Sequence, residues 1–378
     1  MTRLVFCLNA KNEQKVLARW VESVAPFADA AVMVDTGSTD RSIDVFAEAC
    51  TKAGLPFRIG KRSWANFAFN QTELLRIASQ HFPGSYLWNL DADETLIAHE
   101  SFRLPELTHD GYRVCRLWGG SYESRSIRVF KAGLRWEYQR ERHATPALHG
   151  ASVGSLPDST KGGVDVVNHR DNANGTMDAA EQAARFSRDA ELFREKLEAN
   201  PNDTRSAYYL AQSLKDAGRY DEAIQAYVAR AKMGGFAEER YISLLDRARL
   251  KRHCGHPDHE VEAAYREAVQ ERPTRNEARI ELCRLLRSAR RYREAYEIAF
   301  DAVATKKPDD RWLVERNSHT WAPVFELALC TWWLGLKSES KALHHTLLRM
   351  PEIPRPERRL VEQNLERHFA DQQLDASP

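Results

Sequence analysis

The chain has 378 residues, 43% of them hydrophobic and 29% charged, a length that predicts two domains and a balance that excludes a disordered polymer. Its 55 basic and 54 acidic residues leave a net charge of +1, so no global field draws it to nucleic acid or to an anionic membrane. Six scattered cysteines with no C-x-x-C pair predict reduced, buried thiols; with no long apolar run and no leader-like start, the expected location is the cytoplasm.

In chain order, residues 4–8 read as a buried strand and 13–24 as an amphipathic helix. A strand over 30–34, a helix over 42–53, a short strand over 57–59, a helix over 66–81 and a strand over 86–90 follow. Such alternation specifies a mostly parallel sheet covered by helices, a Rossmann-like α/β domain. Beyond Asp93 the strands shorten, around 111–114 and 126–130, and the Gly-, Ser- and Pro-rich stretch 150–163 predicts a mobile loop. From Thr176 the pattern is helix after helix. The domains are therefore expected at 1–175 and 176–378.

The segment Asn89-Leu90-Asp91-Ala92-Asp93-Glu94 follows the fourth predicted strand, at the carboxyl edge where open α/β sheets bind ligands. Asp91 and Asp93 flank one small residue, so both can point at one ligand. Few carboxylates together with diphosphate oxygens suit Mg²⁺ or Mn²⁺, although a solvated acidic turn has the same spelling. Val34-Asp35-Thr36-Gly37-Ser38-Thr39-Asp40 closes the second strand, with Asp35 placed to accept from a nucleobase N–H and Asp40 placed as a helix cap. Asn9-Ala10-Lys11-Asn12-Glu13 ends the first strand at the same edge.

Those three segments, in this order and spacing, resemble the family 2 glycosyltransferases of GT-A fold. With repeats behind a short catalytic domain, the chain is similar to a bacterial subgroup that includes bacteriocin S-glycosyltransferases. The resemblance implies an inverting transfer from a nucleoside diphosphate sugar, more often a uridine one, to a protein, peptide or glycan acceptor. It implies that Asp35 holds the base, that Asn9 and Lys11 line its pocket, that Asp91 contacts ribose or sugar, and that Asp93 binds Mn²⁺ or Mg²⁺. Asn70 matches a helix facing the donor, but Phe69 stands where relatives carry Arg; Arg62 or Arg76 could compensate, with surface solvation the expectation for each. His143-Ala144 stands where relatives carry His-Glu, so the general base falls to Glu141 or Glu94. His169 is the expected further metal ligand, with His143 as second choice. The competing readings are an adaptor that has lost catalysis and a glycosyltransferase of modified nucleic-acid bases.

In the second half, residues 208–224 resemble the tetratricopeptide consensus, with two helices around Gly218 and a closely packed Ala223. Residues 282–295 and 329–342 echo it, and 244–264 fits a divergent pair broken at Gly255-His256-Pro257. Stacked units of this kind predict an all-α solenoid with a surface for a partner, a second copy of the chain included. Basic positions cluster at Arg247, Arg249, Lys251 and Arg252 and again at Arg287, Arg290, Arg291 and Arg293, either as a solvated face or as a groove for an acidic ligand. Trp312, Trp321, Trp332 and Trp333 are expected between helices.

Overall fold

The computed structural model describes residues 3–119, 121–170 and 178–369 and divides into two compact units, Met1–Met177 and Asp178–Pro378. The boundary expected at 175/176 lies outside the described residues.

The first unit is an α/β domain on a mixed, largely parallel sheet. Its apolar start forms β1 (Leu4–Ala10), flanked in parallel by β2 (Ala30–Asp35) and β4 (Tyr86–Asn89), with β3 (Phe57–Lys61) outside β2. Side chains alternate across a strand, so β1 sends Leu4, Phe6 and Leu8 to one face and Val5 and Cys7 to the other. On the first face lie α1 (Leu17–Val24) and α2 (Ser42–Lys52), packed through Trp20, Val21 and Phe46. On the second lies α3 (Phe67–His81), packed through Leu74, Leu75 and Ala78. Past β4 the sheet continues with β7 (Tyr122–Lys131), antiparallel to β4, then β6 (Gly111–Trp118), β11 (Val164–Asn168) and β5 (Glu94–Ala98). A separate hairpin joins β8 (Glu137–Gln139) to β9 (Thr145–Ala147).

Two expectations need correction. The helix expected over 13–24 starts at Leu17, because the preceding residues are drawn onto the loop after β2. Asn12 sits at φ +60 and accepts from Thr39 N at 2.8 Å, while Glu13 N donates to Ser42 Oγ at 2.7 Å. The stretch 150–163 is built in rather than loose. It contributes β10 (Val153–Ser155), parallel to β6, and buries Leu156 and Asp158, whose carboxylate receives Arg125.

The second unit is all-α and tetratricopeptide-like. After α4 (Ala179–Ala199) come four helix pairs, α5 (Thr204–Asp216) with α6 (Tyr220–Lys232), α7 (Ala237–His253) with α8 (Asp258–Glu271), α9 (Glu277–Ser288) with α10 (Tyr292–Ala304), and α11 (Trp321–Trp333) with α12 (Lys337–Leu348). The helix α13 (Arg355–Phe369) closes the described part. Each pair turns through the same six-to-one bond: Arg219 N to Leu214 O, His256 N to Lys251 O, Arg291 N to Leu286 O and Leu336 N to Thr331 O, all 2.9–3.0 Å. That closure needs a left-handed residue, supplied by Gly218, Gly255 and Gly335 and, in the third pair, by Arg290 at φ +61. Ala223 and Ala295 occupy equivalent, fully buried positions where the second helix meets the first. Trp321 is buried as expected, but Trp333 is 56% exposed and stacks on Tyr292 at 5.1 Å.

Candidate functional site

Parallel pairing of β1, β2 and β4 brings Asn9, Asp35 and Asn89 to one sheet edge, and the next residues of each strand open there. Around β2 the edge is held by its own hydrogen bonds. Asp35, 5% exposed, accepts from Gly37 N and Ser38 N at 3.2 Å; Ser42 N donates to Asp40 Oδ1 at 3.0 Å, but the cap position of α2 falls to Arg41 rather than to Asp40. Lys11 is exposed beside them.

Over the second face the first turn of α3 reaches the ends of β1 and β4. Asn9 Nδ2 donates to Asn70 O at 3.1 Å, and Asn89 Nδ2 donates to Gln71 Oε1 and to Tyr138 OH. Both asparagine Oδ1 atoms are buried without a hydrogen-bond partner. Asn70 itself is spent on the fold, since Oδ1 accepts from Ala65 N and Nδ2 donates to Ser63 O. Phe69 is 42% exposed. Arg62 and Arg76 both pair with Glu73, which they hold down at about 2 against its burial.

After β4 the acids gather. Glu94 is fully buried; Oε1 accepts from Arg116 Nε at 2.7 Å and Oε2 from Asp91 N at 2.9 Å. Asp91 Oδ2 receives Arg116 at 3.1 Å and Arg128 at 3.3 Å. Burial opposes the Asp91 charge, but Arg128 and Arg116 override it and hold the carboxyl below the usual range. These four side chains, two negative and two positive, neutralise one another. Asp93 is left over. It is 3% exposed, and among the described residues no cation pairs with it; Asn168 Nδ2 approaches at 3.3 Å. Burial, then the nearby Asp91, Glu94 and Glu13, push its carboxyl up to about 7. A buried acid crowded by acids calls for a proton or a cation, and oxygen donors of this kind fit Mg²⁺ or Mn²⁺.

The expected ligand set of Asp93, His169 and His143 is not gathered. Among the described residues no three His, Cys, Asp or Glu side chains are grouped to hold a metal ion. His169 is bound to Asp93 through its backbone, N to O at 3.0 Å, while its ring Nε2 lies 2.8 Å from Thr95 Oγ1. His143, at φ +50, and Glu141 both belong to the exposed turn between β8 and β9. The sequence did not reveal Arg116, and although 128–138 and 166–169 resemble family segments, it gave no role to Arg128, Tyr138 or Asn168. The available signal was an arginine inside an otherwise apolar stretch of β7, two residues from Phe130 and so on the same face.

In the helical unit all of the clustered basic positions but Arg290 have acidic partners in place among the described residues, which favours the solvated face over a groove for acidic ligands. Arg247 pairs with Glu267, Arg249 with Glu315, Lys251 with Glu260, Arg252 with Glu281, Arg287 with Glu326, Arg291 with Glu262 and Glu294, and Arg293 with Glu297. Among the described residues no helix is long and apolar enough to cross a membrane.

No family model and no curated protein matches the chain. Solved structures resemble the helical repeats. The MamA protein is 14% identical, with 53% of this chain and 96% of that one covered at a TM-score of 0.35. YrrB, described as a TPR protein with an unusual peptide-binding site, is 10% identical over 49% and 86%, at 0.36. TTC0263, a thermophilic TPR protein of Thermus thermophilus, is 15% identical over 48% and 92%, at 0.34.

Proposed function

We propose that the chain is a metal-dependent inverting glycosyltransferase of the family 2, GT-A kind, using a nucleoside diphosphate sugar as donor. The observation that carries this reading is Asp93, a buried carboxylate with no paired cation among the described residues, set beside an internally neutralised group at the carboxyl end of β4. In this reading Asp35 receives the nucleobase and Asn9 and Lys11 border it. Asp93 would hold Mn²⁺ or Mg²⁺ together with diphosphate oxygens of the donor. Bound there, the cation supplies Lewis-acid stabilisation of the leaving diphosphate. The chain's own groups fix donor and acceptor so that attack on the anomeric carbon comes from the far face. Of the two carboxylates expected as base, Glu94 has both oxygens committed to Arg116 and Asp91 N, so Glu141 is the one to test. The helical repeats are assigned to a protein or peptide acceptor.

Thermal unfolding with a panel of nucleotide sugars, each with and without Mn²⁺, tests the reading. One sugar nucleotide should stabilise the protein only with the metal, and Asp93→Ala should abolish that shift. Absence of any nucleotide effect, with peptide capture intact, would instead establish the adaptor reading that Phe69 and Ala144 motivate.

A further inference from the structure

Resting on the transferase reading, we propose that Arg128 is the residue that grips the donor diphosphate, in the place of the arginine that Phe69 displaces from α3. Arg128 is one residue beyond the Val129–Trp88 pair of antiparallel β7 and β4, so it stands alongside Asn89 at the carboxyl end of β4. It shares the α3 face with Phe130 and lies within the fields of Asp91, Glu94 and Tyr138.

Its surroundings separate it from the other arginine of the site. Arg116 is tied to both carboxylates, with Nε and Nη2 on Glu94, Nη2 on Asp91 as well, and Cζ 4.3 Å from the Trp118 ring centroid. Arg128 has an 11% exposed side chain and five N–H donors, yet among the described residues its hydrogen-bond partner is Asp91 Oδ2 alone, at 3.3 Å. None of its nitrogens is both buried and unpartnered, so its remaining N–H groups stay open for a ligand to take. A guanidinium carries donors and no acceptor, so the ligand that suits it is anionic and rich in oxygen acceptors. A diphosphate meets the requirement, and Asp93, four residues past Asn89, would hold the metal. The shared contact with Asp91 then orients Arg128 before the donor arrives.

The test uses the full chain with Mn²⁺ and titrates UDP, GDP and TDP, each against its own nucleoside, into wild type, Arg128→Lys and Arg128→Gln. Lysine keeps the charge opposite Asp91 should the neutral variant fold poorly, and circular dichroism checks the fold of both. The diphosphate that wild type binds should weaken about tenfold in Arg128→Lys and up to about a hundredfold in Arg128→Gln, with the nucleoside unaffected. Unchanged diphosphate affinity overturns the proposal, and so does an equal loss for diphosphate and nucleoside, which marks a role in the fold alone. If wild type binds none of the three pairs, the transferase reading itself fails, and this assignment with it.

Discussion

Asp93 and Arg290 are two positions where one side chain works against the fold that holds it. Asp93 is a carboxylate buried among carboxylates, an arrangement that costs stability until a cation arrives, as functional sites commonly do. Asp93→Asn keeps the shape and removes the charge. In the metal-free protein at pH 8 it should therefore raise the unfolding free energy by about 1–2 kcal/mol while erasing the Mn²⁺-dependent shift. Equal or lower stability of that variant in denaturant titrations would refute the crowding argument. Arg290 is strained by its backbone, since it takes at φ +61 the turn position that glycine fills in the other three pairs. A left-handed non-glycine residue costs about 1–2 kcal/mol, and glycine returns about 0.4–1 kcal/mol of that through the unfolded chain. Arg290→Gly should thus stabilise by up to about 1 kcal/mol, measured by urea unfolding. Because no ion pair to Arg290 is seen among the described residues, the substitution removes no compensating contact.

At the level of elements, the segment 150–163 shows what composition hides. Its glycines, serines and proline spell a loop, yet Asp158 is buried beneath it and holds Arg125 of β7. Burial opposes the Asp158 charge, but hydrogen bonds from Thr160 and Arg125 bring its carboxyl down to about 2. An acid with a depressed folded pKa stabilises the fold above its unfolded value and loses that contribution as pH falls through the folded one. The stability gap between wild type and Asp158→Asn should therefore be full at pH 6 and shrink between about pH 4 and pH 2, as read by denaturant midpoints. Local patterning did give the parallel strands, the three covering helices and the repeat turns, because alternation, capping and glycine placement are short-range signals. It also set Asp35 at the end of β2 and Asp91 and Asp93 just past β4, at the carboxyl edge of one sheet. It could not give Arg116 and Arg128, which reach Asp91 from strands 25 and 37 residues away in sequence and depend on the antiparallel return of β7. The same limit explains the basic runs of the repeats, several of whose acidic partners sit on neighbouring helices, as Arg247 with Glu267 illustrates.

For the whole molecule, the division into two compact units has a thermodynamic consequence. The first unit closes its core on the sheet, while the second builds its own from stacked helix pairs around Tyr208, Tyr241, Tyr265 and Leu286. Separate cores unfold as separate cooperative blocks, so heating should resolve two transitions rather than one. If the donor site belongs to the first unit alone, a nucleotide sugar with Mn²⁺ stabilises only the block that contains Asp35 and Asp93. At a ligand concentration about a hundred times its dissociation constant the gain is about 2.7 kcal/mol, which in a unit of this size raises one transition by about 5–10 °C. A peptide acceptor docked on the repeats should move the other. Calorimetry with each ligand in turn distinguishes the cases, and hydrogen exchange assigns the blocks through added protection at 35–42 and 89–94 for the donor. A donor that shifted both transitions equally would show that the units melt as one body, and the assignment of donor and acceptor to separate cores would have to be withdrawn.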